Sequence, residues 1–130
     1  RSSGIYGPER GYLIDAVKGK KICFYKKNNI YTNRVHVYDL ANIIYFSLDN
    51  KDCLNTTINA SDCHPASNNE VLSWFIDKLK LARADYKTLV EKTEFKRGNK
   101  RCSNAKLLSL GFRFKYPSFK EGYEELLTQR

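Results

Sequence analysis

Methionine is absent from the 130-residue chain, tryptophan occurs once, histidine twice and proline three times. No apolar run reaches the roughly 18–20 residues that a membrane-crossing helix needs, and no charged-then-apolar leader opens the chain. Neither a membrane span nor a signal peptide is therefore expected, and a cytoplasmic location is. Cys23, Cys53, Cys63 and Cys102 include no Cys-x-x-Cys pair. The nearest approach to a metal box, Cys53 with Cys63-His64, has a spacing that does not match zinc sites, so no metal is expected and the thiols read as reduced. Acid is scarce too: 14 Asp and Glu stand against 23 Lys and Arg, a net charge of +9 that favours anionic partners such as phosphates, nucleotides or nucleic acid. What is present excludes a disordered tail, since 42% of residues are hydrophobic and 13% aromatic. The length fits one domain over 1–130 with a real core. The opening Arg1-Ser2-Ser3-Gly4-Ile5 reads as the middle of a longer chain, hence a fragment.

The chain is organised around Tyr31-Thr32-Asn33-Arg34-Val35-His36-Val37-Tyr38-Asp39-Leu40-Ala41. Its first half alternates as a strand, with Thr32, Arg34 and His36 on one face. Asp39 stands where a helix N-cap belongs, ahead of an apolar run through Leu48. A guanidinium and an imidazole on one strand face would suit the wall of an anion-binding cleft; an ordinary strand-to-helix joint with a solvated Arg reads equally well from the spacing.

Around this stretch, helical spacing covers 11–18, with Gly19 suited to its end. Residues 21–25 and 30–37 read as two strands joined by Lys26-Lys27-Asn28-Asn29 into a β-hairpin. A helix over about 39–49 and a strand over 54–59 follow, the latter on Thr56, Thr57 and Ile58. Ser67-Asn68-Asn69-Glu70 is a capping box opening a helix with Val71, Leu72, Phe75, Ile76 and Leu79 inward. The run 82–89 is ambiguous. Residues 90–101 form a basic loop, and Ser103 caps a short helix stopped by Gly111. Residues 112–116 read as short and extended, alternating Phe112 and Phe114 with Arg113 and Lys115, and Ser118-Phe119-Lys120-Glu121 is a second capping box for a terminal helix.

Three blocks in order carry a resemblance: Ser3-Gly4-Ile5-Tyr6-Gly7-Pro8; Asn33-Arg34-Val35-His36-Val37-Tyr38-Asp39-Leu40-Ala41; and Arg101-Cys102-Ser103-Asn104-Ala105-Lys106-Leu107 with Leu110-Gly111-Phe112 and Tyr116-Pro117-Ser118-Phe119-Lys120-Glu121-Gly122. Together they resemble the carboxy-terminal, substrate-binding part of extended short-chain dehydrogenase/reductases, the NAD(P)-dependent sugar-nucleotide epimerases and dehydratases. The resemblance implies an α/β fold, α+β in isolation: a small mixed sheet or hairpin with four to five helices, lacking the Rossmann nucleotide-binding half. No Gly-x-x-Gly-x-x-Gly phosphate loop and no Tyr-x-x-x-Lys in a fitting context occur. The longer protein would be an enzyme using NAD or NADP, and this chain alone would bind no cofactor and carry no catalytic residue.

By the same resemblance, Ser3, Gly4 and Ile5 would face the cofactor and Ser3 and Tyr6 the substrate. The family's phosphate-clamping Arg four residues before the His is here Thr32, a departure. Arg34 lies two residues nearer and takes the candidate role, with Lys96, Arg97 and Arg101 as candidates for the second clamp. His36 is implied to be structural. The implied partners are a nucleotide-sugar-like small molecule, the missing amino-terminal Rossmann domain and a second copy in a homodimer. A freestanding basic nucleic-acid-binding or interaction module is the alternative. It is the less favoured one, because the cations are spread along the chain and no recognition motif interleaves them with aromatics.

Overall fold

Among the described residues, the three longest helices each begin where a side chain stands in for the backbone acceptors that a helix start lacks. The computed structural model describes residues 1–90 and 99–129. In chain order they form β1 (Gly4–Tyr6), α1 (Tyr12–Lys18), β2 (Phe24–Tyr25), β3 (Tyr31–Thr32), β4 (Arg34–His36), α2 (Val37–Leu48), β5 (Ala66–Ser67), α3 (Asn68–Leu79), β6 (Thr88–Leu89), α4 (Ala105–Ser109) and α5 (Phe119–Thr128). Ser67 caps α3 by accepting from the Glu70 N–H, and Ser118 with Glu121 closes a complete capping box on α5. Both starts are as the sequence predicts. The α2 start is not: the N-cap is His36, whose Nδ1 accepts from the Tyr38 N–H at 3.1 Å. Asp39 is released from capping and is used elsewhere.

The class is the expected mixed α/β one, with five helices and small sheets among the described residues. The elements divide into two compact units, each discontinuous in sequence: Arg1–Arg10, Asn33–Pro65 and Cys102–Arg130 form the first, and Gly11–Thr32 with Ala66–Arg101 the second. The continuous strand expected over 30–37 breaks at Asn33. Thr32 belongs to the second unit and Arg34 to the first, so they do not share a strand face.

In the first unit β1 and β4 pair in parallel, Gly4 with Arg34, Ile5 with Val35 and Tyr6 with His36. Val35, Ile43, Ala60, Leu107 and Phe112 form the core, with Ile5, Leu40, Phe46, Ile58 and Phe114 packed against it. The alternation expected at 112–116 is present, Phe112 and Phe114 turned inward and Arg113 and Lys115 exposed. The strand expected over 54–59 does not form. Asn55 sits at φ 54°, and Thr56 and Thr57 are exposed. Only Ile58 is packed on the core, and pairing begins at Ala60, which bridges Ser2. A β-branched run without an alternating buried face has nothing to hold it in a sheet. The cap shift is small at α4, where Ser103 Oγ accepts from the Ala105 N–H while Asn104 occupies the cap position.

In the second unit the expected hairpin is replaced by two separate pairings. β2 runs parallel to β6, and β3 antiparallel to β5. Asparagine side chains explain why 21–25 and 30–37 do not pair with one another. Asn69 takes both the N–H and the carbonyl of Tyr25, at 2.9 and 2.7 Å. Asn99 accepts from the Tyr31 N–H and donates to the Asn29 carbonyl, at 2.8 and 2.7 Å. With those groups occupied the hairpin ladder has no donors or acceptors left at these positions. Gly19 ends α1 at an ordinary φ of −81°, and Lys20 adopts the left-handed conformation instead.

Candidate functional site

The carboxyl ends of β1 and β4 are where a ligand crevice is expected in a parallel α/β arrangement. A groove of about 450 Å³ opens there, at Pro8 after β1 and at His36 and Val37 after β4. Tyr38, Lys115, Tyr116, Glu125 and Gln129 add to its polar lining. Its volume lies within the range typical of small-molecule sites. Tyr38 and Lys115 also border a larger open groove of about 730 Å³ along α2, and the Lys115 ammonium stands 4.6 Å from the Tyr38 ring centroid.

Asp39 builds this corner. It is 1% exposed, and its two carboxylate oxygens accept from the backbone N–H groups of Lys115 and Tyr116, both at 2.9 Å. The helix thereby holds the strand-like segment that carries the groove's cation. His36 is buried, its ring stacked 3.9 Å from Tyr116 and edge-on to Tyr6 at 5.1 Å. Burial pushes its imidazole pKa down, against the pull of Asp39 and Glu125. Neutral His36 is also what the α2 cap requires, because a protonated Nδ1 could not accept from Tyr38. Tyr116 donates to Glu125 and its pKa is raised, first by burial and then by that bond. Exposed Lys115 is raised by its hydrogen bond and proximity to Tyr116. The groove thus presents an ammonium, a bridged phenol–carboxylate pair and aromatic walls. That set can bind and orient a polar or anionic group.

Beneath lies a buried polar layer. Tyr6 stacks on Tyr123 at 4.4 Å, and its hydroxyl lies so close to Gly122 that a Cβ there would overlap it. Tyr6 Oη, Ser61 Oγ and Asp62 Oδ2 are buried without a hydrogen-bond partner among the described residues. Burial holds the Tyr6 phenol far above its usual range and pushes the Asp62 carboxyl up to about 6, against the His64 N–H it accepts from at 2.9 Å and the Arg34 charge. A folded-state pKa above the unfolded value means the stabilising contribution is fully present below the unfolded pKa and is lost as pH rises through about 6. Asp62→Asn is therefore expected to be more stable than the parent at pH 8. It should also remove on the order of 1–2 kcal/mol of the parent's stability loss between pH 4.5 and 8. Urea midpoints at the two pH values check this, and an unchanged pH slope would refute it.

Of the residues that the sequence nominates, the β1·β4 register brings Gly4, Ile5, Tyr6 and Arg34 together, with Ser3 just ahead of β1. Ser3 donates its N–H to the Ala60 carbonyl, and Gly4 is exposed. Arg34 is 8% exposed, its guanidinium 5.6 Å over the Phe119 ring. Arg101 is in the second unit, exposed and 4.8 Å over the Tyr31 ring. Lys96 and Arg97 lie outside the described residues. The groove residues Lys115, Glu125 and Tyr38 were not singled out from sequence. Alternation at 112–116 marked Lys115 as exposed but gave no sign that Asp39 would anchor it.

Half of each related chain finds a counterpart here. A protein designated an NAD-dependent epimerase/dehydratase from Methylobacillus flagellatus superposes over 99% of this chain at 28% identity and a TM-score of 0.74. A conserved protein of unknown function from Silicibacter pomeroyi does so at 27% identity and 0.79, again over 99%. A human epimerase family protein, SDR39U1, solved with NADPH, shares the fold over the whole chain at 16% identity and 0.76. The chain spans 45%, 48% and 48% of these three. No protein-family model and no curated protein sequence matches it. The chain has the fold of NAD-dependent epimerase/dehydratases, consistent with a carboxy-terminal part of an extended short-chain dehydrogenase/reductase.

The dinucleotide such enzymes use needs backbone amides at a helix start after a glycine turn. Here the starts of α2, α3 and α5 are each closed by their own residue, His36, Ser67 and Ser118. No Gly-x-x-Gly-x-x-Gly occurs in the sequence. Among the described residues, the capped starts of α2, α3 and α5 do not fit a pyrophosphate cradle, while the short helices α1, starting after Gly11, and α4, starting after Asn104, carry no side-chain cap. Among the described residues, no helix is long and apolar enough to cross a membrane.

Proposed function

We propose that this chain is the substrate-binding portion of a longer, cytoplasmic NAD(P)-dependent sugar-nucleotide epimerase/dehydratase. The observation that carries the reading is the groove at the carboxyl ends of β1 and β4, in a chain that matches an NAD-dependent epimerase/dehydratase at 28% identity. The substrate class is a nucleotide-sugar-like anion. Lys115 meets its charge, while Tyr116 and His36 form the floor. Buried Arg34 and Tyr6 act from below by holding α5 and β4, and Ser3, Gly4 and Ile5 face the cofactor of the complete enzyme. Arg101, a residue of the second unit, is kept as a candidate anion contact of that unit and is not assigned to this groove. Calorimetric titration of the chain with UDP or dTDP tests the assignment. Weak binding is expected, with Kd on the order of 1 mM. Lys115→Ala should weaken it about tenfold or more, the size of one charge-assisted contact. Equal binding by parent and variant would remove Lys115 from the site.

A further inference from the structure

Spread along the sequence, the cations show no pattern; sorted by unit, they do. The second unit holds 14 Lys and Arg against 6 Asp and Glu, a net of +8, while the first holds 9 against 8. Nearly all of the chain's +9 thus sits on fewer than half of its residues. Every one of the second unit's cations that is described is exposed.

Folding also gathers them. Tyr86 donates to the Val17 carbonyl at 2.6 Å, and Lys20 pairs with Asp85 at 3.1 Å. The turn leaving α1, with Lys18, Lys20 and Lys21, is thereby brought against the segment leaving α3, with Lys80, Arg83 and Lys87. Asp85, the acid in that segment, is already engaged by Lys20. Lys18 and Lys78 complement the carboxy-terminal dipoles of their helices. Lys80, the C-cap residue of α3, stands at the same end of that helix, whereas Lys21 and Lys87 have no such role, and like charges brought together oppose folding. Two guanidinium groups are held over aromatic rings, Arg83 at 4.1 Å from the Phe24 centroid and Arg101 at 4.8 Å from that of Tyr31, and a guanidinium is a group suited to phosphate oxygens.

We infer that the second unit binds the phosphate backbone of nucleic acid without reading base sequence. The inference does not rest on the proposed substrate site, which lies in the first unit. Fluorescence anisotropy of a labelled oligonucleotide tests it. Affinity is expected to fall about 10²-fold between 50 and 200 mM salt, as for several phosphate contacts, and to be indifferent to sequence. The triple variant Lys21→Glu/Lys80→Glu/Lys87→Glu should lose at least tenfold, while Lys51→Glu/Arg113→Glu/Lys120→Glu in the first unit should lose less than threefold. The salt dependence of the parent protein stands as a readout should a variant fail to fold. Equal losses from the two triple variants, or salt-insensitive binding, would overturn the inference. So would displacement by UDP at equal phosphate concentration, or binding to phosphatidylserine vesicles with none to the oligonucleotide.

Discussion

Asp39→Ala is expected to destabilise the protein by about 3–5 kcal/mol, the largest effect of any single replacement considered. The carboxylate is almost fully buried and satisfies two backbone N–H groups, of Lys115 and Tyr116. Hydrogen bonds to a charged group contribute about 1.5–3 kcal/mol each, and deleting the acceptor leaves both donors buried and unpaired. Asp39→Asn keeps the shape but offers one acceptor in place of two, so an intermediate loss is expected. The same change frees the segment carrying Lys115, and weakened nucleotide binding should accompany it. Chemical denaturation of the three proteins checks the ranking. An Asp39→Ala protein within 1 kcal/mol of the parent would mean that these two bonds are not what holds the segment.

The second large effect concerns α2. Val37, Tyr38, Ile44, Tyr45 and Leu48 are 38, 49, 55, 73 and 82% exposed, and the helix's single charged residue, Asp39, faces inward. A helix apolar on both sides is normally covered on both. Here one side packs Leu40, Ile43 and Phe46 on the core and the other is open. The chain alone is therefore expected to self-associate at tens of micromolar, as apolar patches of several large side chains do. Ile44→Lys/Leu48→Lys should return it to monomer without loss of fold. Sedimentation across a concentration series measures this, and a monomeric parent that binds no hydrophobic dye would refute it.

The sequence placed that surface only in part. It marks one apolar run through Leu48, yet within that run Ile43 and Phe46 turn into the core while Ile44 and Tyr45 turn out. Contiguous residues on a helix cannot share one face. Local signals served well: the capping boxes at Ser67 and Ser118 fixed the starts of α3 and α5, and alternation fixed which aromatics of 112–116 are buried. Long-range choices were not legible. Asn69 read as part of a helix-opening capping box and Asn99 as part of a basic loop, and only the fold reveals that their amides replace a hairpin ladder. Asp39 sat where a cap is usual, yet its use depended on a segment 76 residues away. The gathering of charge was hidden because each unit is assembled from separated stretches.

The central claim is a substrate-binding portion without a dinucleotide cradle. Its most direct test is amide NMR of the 15N-labelled chain, titrated separately with UDP and with NADPH. UDP is expected to shift the amides of His36–Tyr38 and Lys115–Tyr116. NADPH is expected to do no more than its phosphates do at the same amides. Micromolar NADPH binding, or UDP shifts that leave the ends of β1 and β4 untouched, would contradict the account.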